Sequence, residues 1–230
     1  MKVSLILATV GRLAELENFL AKLDSQTYRN FELIVVDQNE DDRLGPLMDR
    51  YGRRFPVQRL RSAKGLSRAR NVGLRYVRGD IISFPDDDCW YAPDLLGKVV
   101  DLFVRFPNAL MITGRSIDAE GRDAVGKFDT AAGNVNKINV WRRAVSFTIF
   151  LKKEAADRIG GFDEEIGVGA DTIYHSGEET DYILRALEWF PVLYFPDLTV
   201  YHPNPLLGYT PQTFRRAYQY GCGFGKVVTK

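Results

Sequence analysis

"DIISFPDDDCWYAP", residues 80–93, decides how the whole chain reads. An apolar run, Ile81-Ile82-Ser83-Phe84, meets Pro85 and then three aspartates, Asp86, Asp87 and Asp88. A short apolar run closed by a turn signal reads as a buried strand. Three adjacent carboxylates repel one another, and with little water nearby that is costly unless a cation or donors compensate. A solvated turn is the plain explanation, because aspartate is common after proline. What lies on either side of the stretch favours another.

Upstream, residues 3–8 are apolar apart from Ser4, and Leu13, Leu16, Leu20 and Leu23 follow at helical spacing. "FELIVV" (31–36) is the next strand, 42–54 a polar helix and 57–60 a short strand. "LSRARNVGLRYV" (66–77) reads as a helix between Gly65 and Gly79. Downstream, 95–106 is a helix with Leu95, Val99, Leu102 and Phe106 on one face, and 109–113 a strand. This alternation predicts an α/β fold, a mostly parallel sheet with helices on both faces. Such sheets bind ligands beyond the carboxyl ends of their strands. Polar residues gather at those ends: Thr9, Asp37-Gln38 and the three aspartates. Oxygen ligands of this kind suit Mg²⁺ or Mn²⁺. A divalent ion bridging Asp88 and a diphosphate would relieve the repulsion and bind a nucleotide.

The rhythm breaks after residue 113. Residues 114–145 are polar and carry Gly114, Gly121, Gly126 and Gly133, which suggests a functional loop. Pattern returns with a strand at 145–151, a short helix at 152–159, the turn "GGFDEE" (160–165) and a helix at 177–190. "VLYF" and "LTVYH" read as two late strands and "PQTFRRAYQY" as a last helix. The glycines of "YGCGFGKVVTK" lack the strand-then-helix setting of a dinucleotide loop.

The 230 residues are 45% hydrophobic, enough for one sizeable core. A formal net charge of +1 gives no bulk attraction for nucleic acid or membrane. Cys89 and Cys222 form no metal-type pair, so a reducing cytoplasm is expected. The start, "MKVSLILATV", resembles a leader in outline, but Arg12, Glu15 and Glu17 follow at once and a buried strand fits better.

"VSLILATVGR", "NFELIVVDQN", "SRARNVGL", "ISFPDDDCWYAPDLL", "IGGFDEE" and "GEETDYILRAL" occur in an order that resembles family-2 glycosyltransferases of the GT-A fold. The resemblance spans residues 3–203. It implies an inverting, metal-dependent transfer from a nucleoside-diphosphate sugar to an acceptor hydroxyl, in polysaccharide or glycoconjugate assembly. By that resemblance Thr9 lines the base pocket and Asp37-Gln38 contacts the nucleobase. Gln38 stands where a second aspartate is usual; it offers a donor as well as an acceptor, so thymine and guanine join uracil as options. Gly65, Arg68, Arg70 and Asn71 match the helix start near base and phosphates, where a helix N-terminus favours anions.

Asp88 matches the metal-ligating aspartate, with Asp86 and Asp87 on ribose or donor sugar. His202 matches a second metal ligand of some members. Glu179 matches the catalytic base, a position often occupied by aspartate. The alternative for Glu178, Glu179 and Asp181 is that they only complement a helix N-terminus. Gly161, Asp163, Glu178 and Trp141 fall on the acceptor side, and Trp90 is either a sugar platform or core. The expected cofactor is Mn²⁺ or Mg²⁺. The expected partners are the donor and a sugar, lipid-linked or protein acceptor, without nucleic acid.

The architecture implied is a Rossmann-like single domain with a small acceptor-side lobe. Residues 1–113 form the nucleotide half, 114–210 the acceptor and catalytic half, and 211–230 a C-terminal helix and tail. The natural chain is expected to continue past Lys230, with peripheral membrane association through residues beyond 230. Cytoplasm, or the inner face of a membrane, is the location these expectations carry. Three rivals stand beside this reading. A sugar-nucleotidyltransferase needs a glycine-rich loop after the first strand, and "ATVGRLAE" has one glycine. A haloacid-dehalogenase-type phosphatase places its aspartates after the first strand. A non-catalytic nucleotide-sugar-binding domain has no need of Glu179.

Overall fold

Strand β1 (Val3–Thr9) sends alternate side chains to opposite faces of the sheet. Val3, Leu5 and Leu7 join one apolar cluster and Ile6 the other. Strand β2 (Phe31–Asp37) repeats the division, with Phe31, Leu33 and Val35 opposed to Ile34 and Val36. Both strands are buried on both faces, as a parallel sheet covered by helices requires. The computed structural model describes residues 1–204 and 209–230; residues 205–208, inside the expected acceptor half, lie outside the described residues.

The first half is the expected alternation with shorter helices. Helix α1 (Ala14–Asp24) buries Leu16, Phe19, Leu20 and Leu23. Helix α2 (Gly45–Gly52), β3 (Val57–Arg61), α3 (Leu66–Leu74), β4 (Ile81–Ser83) and α4 (Leu95–Arg105) follow. On α4 the fully buried residues are Leu95, Leu96, Val99 and Phe103, so its inward face is turned slightly from the expected one. Strands β1, β2, β3 and β4 are mutually parallel.

Beyond them lie β5 (Met111–Ile117), β6 (Gly133–Asn134), β7 (Ile149–Lys152), α5 (Lys153–Ile159), α6 (Glu178–Ala186), β8 (Val192–Tyr201) and α7 (Pro211–Val228). The sheet order is β3-β2-β1-β4-β7-β5-β8-β6. Strand β7 inserts antiparallel between β4 and β5, β6 pairs antiparallel with β8, and β5 and β8 are parallel. The sheet is therefore mixed, though mostly parallel.

Three local expectations are corrected. The run 145–151 is a 3₁₀ turn (Ser146–Thr148) leading into the shorter β7. The two late strands are one irregular strand: Thr113 faces Tyr194 while Arg115 faces Thr199, so β8 bulges around Pro196. Gly114 sits at that step, where a Cβ would lie 2.0 Å from the Leu198 carbonyl oxygen. The last helix does not stop at 220 but runs to Val228. Gly223 allows it to dock, because a Cβ there would lie 2.3 Å from the Ser176 carbonyl oxygen. Thr210 caps its start, accepting from the Thr213 N–H, and Pro211 follows.

The polar segment after β5 is held by ion pairs. Asp118 binds Arg122, Asp123 binds Arg115, and Asp129 binds both Arg142 and Arg143.

Candidate active site

The carboxyl ends of β1 and β4 meet through a backbone bridge between Ala8 and Asp86. That bridge brings Thr9 beside the aspartates: its hydroxyl donates to Asp87 Oδ2 at 2.7 Å. Asp87 also accepts from Arg12 Nη1 at 2.9 Å, and the same nitrogen binds Asp88 Oδ2. Gly11, at φ +73°, supplies the left-handed turn that brings Arg12 round, and its N–H donates to Asn39 at 2.7 Å.

Residues 86–90 are tied to the far end of β8. Trp90 and Tyr201 exchange backbone hydrogen bonds and stack with centroids 5.5 Å apart. His202, the next residue, then lies with Nε2 3.1 Å from Asp88 Oδ1, its ring stacked on Phe147. Its Nδ1 is 2.7 Å from the Pro203 carbonyl, which can only accept. Nδ1 is therefore protonated and Nε2 faces the aspartates. One ligand atom each from Asp86, Asp88 and His202 fall within 4.8 Å of one another. Two carboxylates and one imidazole are a donor set that fits Mn²⁺ better than Mg²⁺, which prefers oxygen ligands throughout.

Arg70 connects this cluster to α6. Its side chain is 1% exposed, with Nη1 3.1 Å from Glu178 and Nη2 3.2 Å from Asp86. Phe162 and Phe84 pack on the guanidinium, with ring centroids 5.3 and 5.9 Å away. Glu179 follows at the start of α6, half-buried. Its carboxylate forms no hydrogen bond with another residue's side chain among the described residues.

Each shift in acidity has a cause in this geometry. Burial pushes Asp86 up to about 6 despite Arg70. Burial also raises Asp87, against the hydrogen bond from Thr9 and the charge of Arg12. Asp88 is buried too, but its bonds with His202 and Arg12 outweigh that and lower it. Burial works against the His202 charge, yet Asp88 prevails and His202 is raised. Glu179 is pushed up to about 8, first by burial and then by the Glu178 charge.

The other expected residues are those read as donor contacts and those read as acceptor contacts. Asp37 is fully buried, accepts hydrogen bonds from Arg59 and Asn39, and forms an ion pair with Arg61 at 3.1 Å. Gln38 Oε1 accepts from the Gly65 N–H at 2.8 Å, which fixes the entry to α3. Arg68 pairs with Glu164 and Asp171 at the surface. Asn71 binds both N–H and C=O of Phe162 and so pins the "GGFDEE" turn; a Cβ on Gly161 would lie 2.8 Å from its Oδ1.

On the acceptor side, Glu178 is only 5% exposed and held by Arg70. Asp163 is bound by Lys230 Nζ at 2.6 Å, and the same lysine reaches Asp181 at 2.8 Å. Trp141, 37% exposed, packs on Phe224 of α7 with centroids 4.5 Å apart. Helix α7 and the residues just after it thus border the residues expected on the acceptor side. Sequence reasoning missed Arg12, Arg59 and Arg61. The signal for the first was a cation just past the end of β1, after a glycine; for the others, two arginines in and at the end of β3.

A mixed sheet of this order, with an acidic rim over the carboxyl ends of its strands, is the arrangement of the GT-A class of nucleotide-sugar-dependent glycosyltransferases. The chain belongs to glycosyl transferase family 2, whose model matches residues 4–160. It is 29% identical over 215 residues to an uncharacterized glycosyltransferase of Haemophilus influenzae, covering 90% of this chain and 67% of that protein. Its fold superposes on TarS residues 1–349 of S. aureus with a TM-score of 0.74 at 17% identity, over 96% of this chain and 70% of that one. The same TarS fragment has been solved with UDP-GlcNAc. The mannosyltransferase PcManGT of Pyrobaculum calidifontis, solved with GDP-Man and Mn²⁺, gives 0.71 at 19% identity, over 100% of this chain and 64% of that one. Among the described residues no helix is long and apolar enough to cross a membrane.

Proposed function

We propose that the chain catalyses inverting transfer of a sugar from a nucleoside-diphosphate sugar to an acceptor hydroxyl, in glycoconjugate or polysaccharide assembly. The observation that carries this is the convergence of Asp86, Asp88 and His202 within 4.8 Å, joined through Arg70 to the helix that starts with Glu178 and Glu179. Relatives of similar fold solved with UDP-GlcNAc and with GDP-Man and Mn²⁺ support the donor class.

In this reading Asp88, Asp86 and His202 hold Mn²⁺ or Mg²⁺, with Asp86 turned from the expected sugar contact to the metal. When bound, the ion supplies positive charge against the leaving diphosphate. The chain's own residues do the rest. Residues 1–113 hold the donor, with the ends of β1 and β2 and the start of α3 around the base and phosphates. Asp87 is oriented by Thr9 toward the donor's ribose or sugar. Glu179 takes the proton of the acceptor hydroxyl as that oxygen bonds to the anomeric carbon and the carbon–diphosphate bond breaks. Its raised pKa makes it a base matched to mildly alkaline conditions. Residues 114–210 and α7 shape the acceptor side, with Gly161, Asp163 and Trp141 at its border. Two free cysteines support a cytoplasmic setting.

A thermal-shift panel of UDP-, GDP- and dTDP-sugars, each with and without Mn²⁺, tests the proposal. A ligand that binds the native state raises its melting temperature by mass action. A rise that needs both a nucleotide sugar and Mn²⁺ is expected. A panel without any such rise overturns it.

A further inference from the structure

Asp88 uses its two oxygens for two different partners. Oδ1 faces His202 Nε2 at 3.1 Å and Oδ2 is held by Arg12, which also binds Asp87 at 2.9 Å. Arg12 therefore occupies the flank of the cluster formed by Asp86, Asp88 and His202. Unlike Arg70, which is sealed in the core, Arg12 has a side chain 48% exposed on a residue that follows the left-handed Gly11. It can swing outward without opening the core.

Resting on the metal reading given above, we infer that Arg12 is an internal counter-cation for the acidic rim, displaced from Asp88 by the divalent ion and then free to grip the donor's diphosphate. Two like-charged species cannot share one carboxylate oxygen without strong repulsion. An arriving ion therefore competes with Arg12 for Asp88. The released guanidinium stands at the end of β1, beside Asp87. Its planar fork matches phosphate oxygens in a way a lysine does not. One residue thus keeps the aspartates in register before loading and binds substrate after it.

Two binding measurements test this, neither of which needs turnover. Mn²⁺ alone is titrated by the loss of its free-ion EPR signal into wild type, Arg12→Met and Arg12→Lys. UDP and GDP are then titrated at saturating Mn²⁺. Loss of a half-exposed competing cation is expected to tighten Mn²⁺ binding roughly three- to tenfold in Arg12→Met, while the preferred nucleotide binds about tenfold more weakly. Arg12→Lys is expected to lose nucleotide affinity while keeping Mn²⁺ affinity close to wild type. Unchanged or weaker Mn²⁺ binding by Arg12→Met, or unchanged nucleotide binding, overturns the role of Arg12 alone. Failure of wild type itself to bind Mn²⁺ contradicts the metal reading and takes the inference with it.

Discussion

Arg70 and Glu178 face each other at 3.1 Å with almost no exposure on either side, and the second arm of the same guanidinium reaches Asp86 at 3.2 Å. This chain of charges lies between the acidic rim and the start of α6. Removing Arg70 leaves a buried carboxylate unpaired, which costs about 3–5 kcal/mol. Arg70→Met is expected to lower the unfolding free energy in urea by that order, and Arg70→Met with Glu178→Leu to regain a large part of it. Equal losses in the single and double variants would mean that the pair is not coupled.

Glu179, the proposed base, carries a cost in stability. Its folded-state carboxyl is pushed up to about 8, above the ordinary 4.5. Between those values the folded chain keeps a proton that the unfolded chain has lost. Stability is therefore expected to fall as pH rises from about 4.5 to about 8, and to level off above. Glu179→Gln removes that loss: its melting temperature is expected to exceed wild type at pH 9 and to match it at pH 4. Transfer by this variant is expected to drop by 10²-fold or more while donor binding persists. The kcat/KM of the wild type is expected to rise with pH toward about 8 if, as proposed, deprotonated Glu179 takes the acceptor proton.

Gly223 holds α7 against the segment before α6. Any Cβ there meets the Ser176 carbonyl at 2.3 Å, a backbone atom with no room to yield. Gly223→Val is expected to undock the helix and break the Lys230 contacts with Asp163 and Asp181. Limited proteolysis is expected to cut within 211–230 several-fold faster than in wild type, with the sheet intact. Equal cutting rates would show that α7 is not held at this point.

The parts legible in the sequence were those carried by local period. The alternation of strands and helices to residue 113, and the acidic turn after β4, follow from apolar spacing and from Pro85. Pairings between distant segments were hidden. Nothing in "VSFTIFL" says that β7 enters antiparallel between β4 and β5, because its partners lie far away in sequence. Pro196 suggested a break between two strands, but the chain bulges there and β8 continues. The last helix reads only through "PQTFRRAYQY", yet it runs on through three glycines, of which Gly223 lets α7 dock. Arg12 read as an ordinary charge and Arg70 as a contact to base and phosphates; only the fold shows the first on the aspartates and the second sealed between Asp86 and Glu178.

The central claim is that a divalent ion on Asp86, Asp88 and His202 secures the diphosphate of an activated sugar. Anomalous diffraction from crystals grown with Mn²⁺ and the nucleotide chosen by the thermal-shift panel tests it directly. The account predicts one strong peak bound by those three side chains, with phosphate oxygens completing the coordination and Arg12 moved off Asp88. A peak elsewhere on the protein, or a bound nucleotide with no manganese beside Asp88, would contradict it.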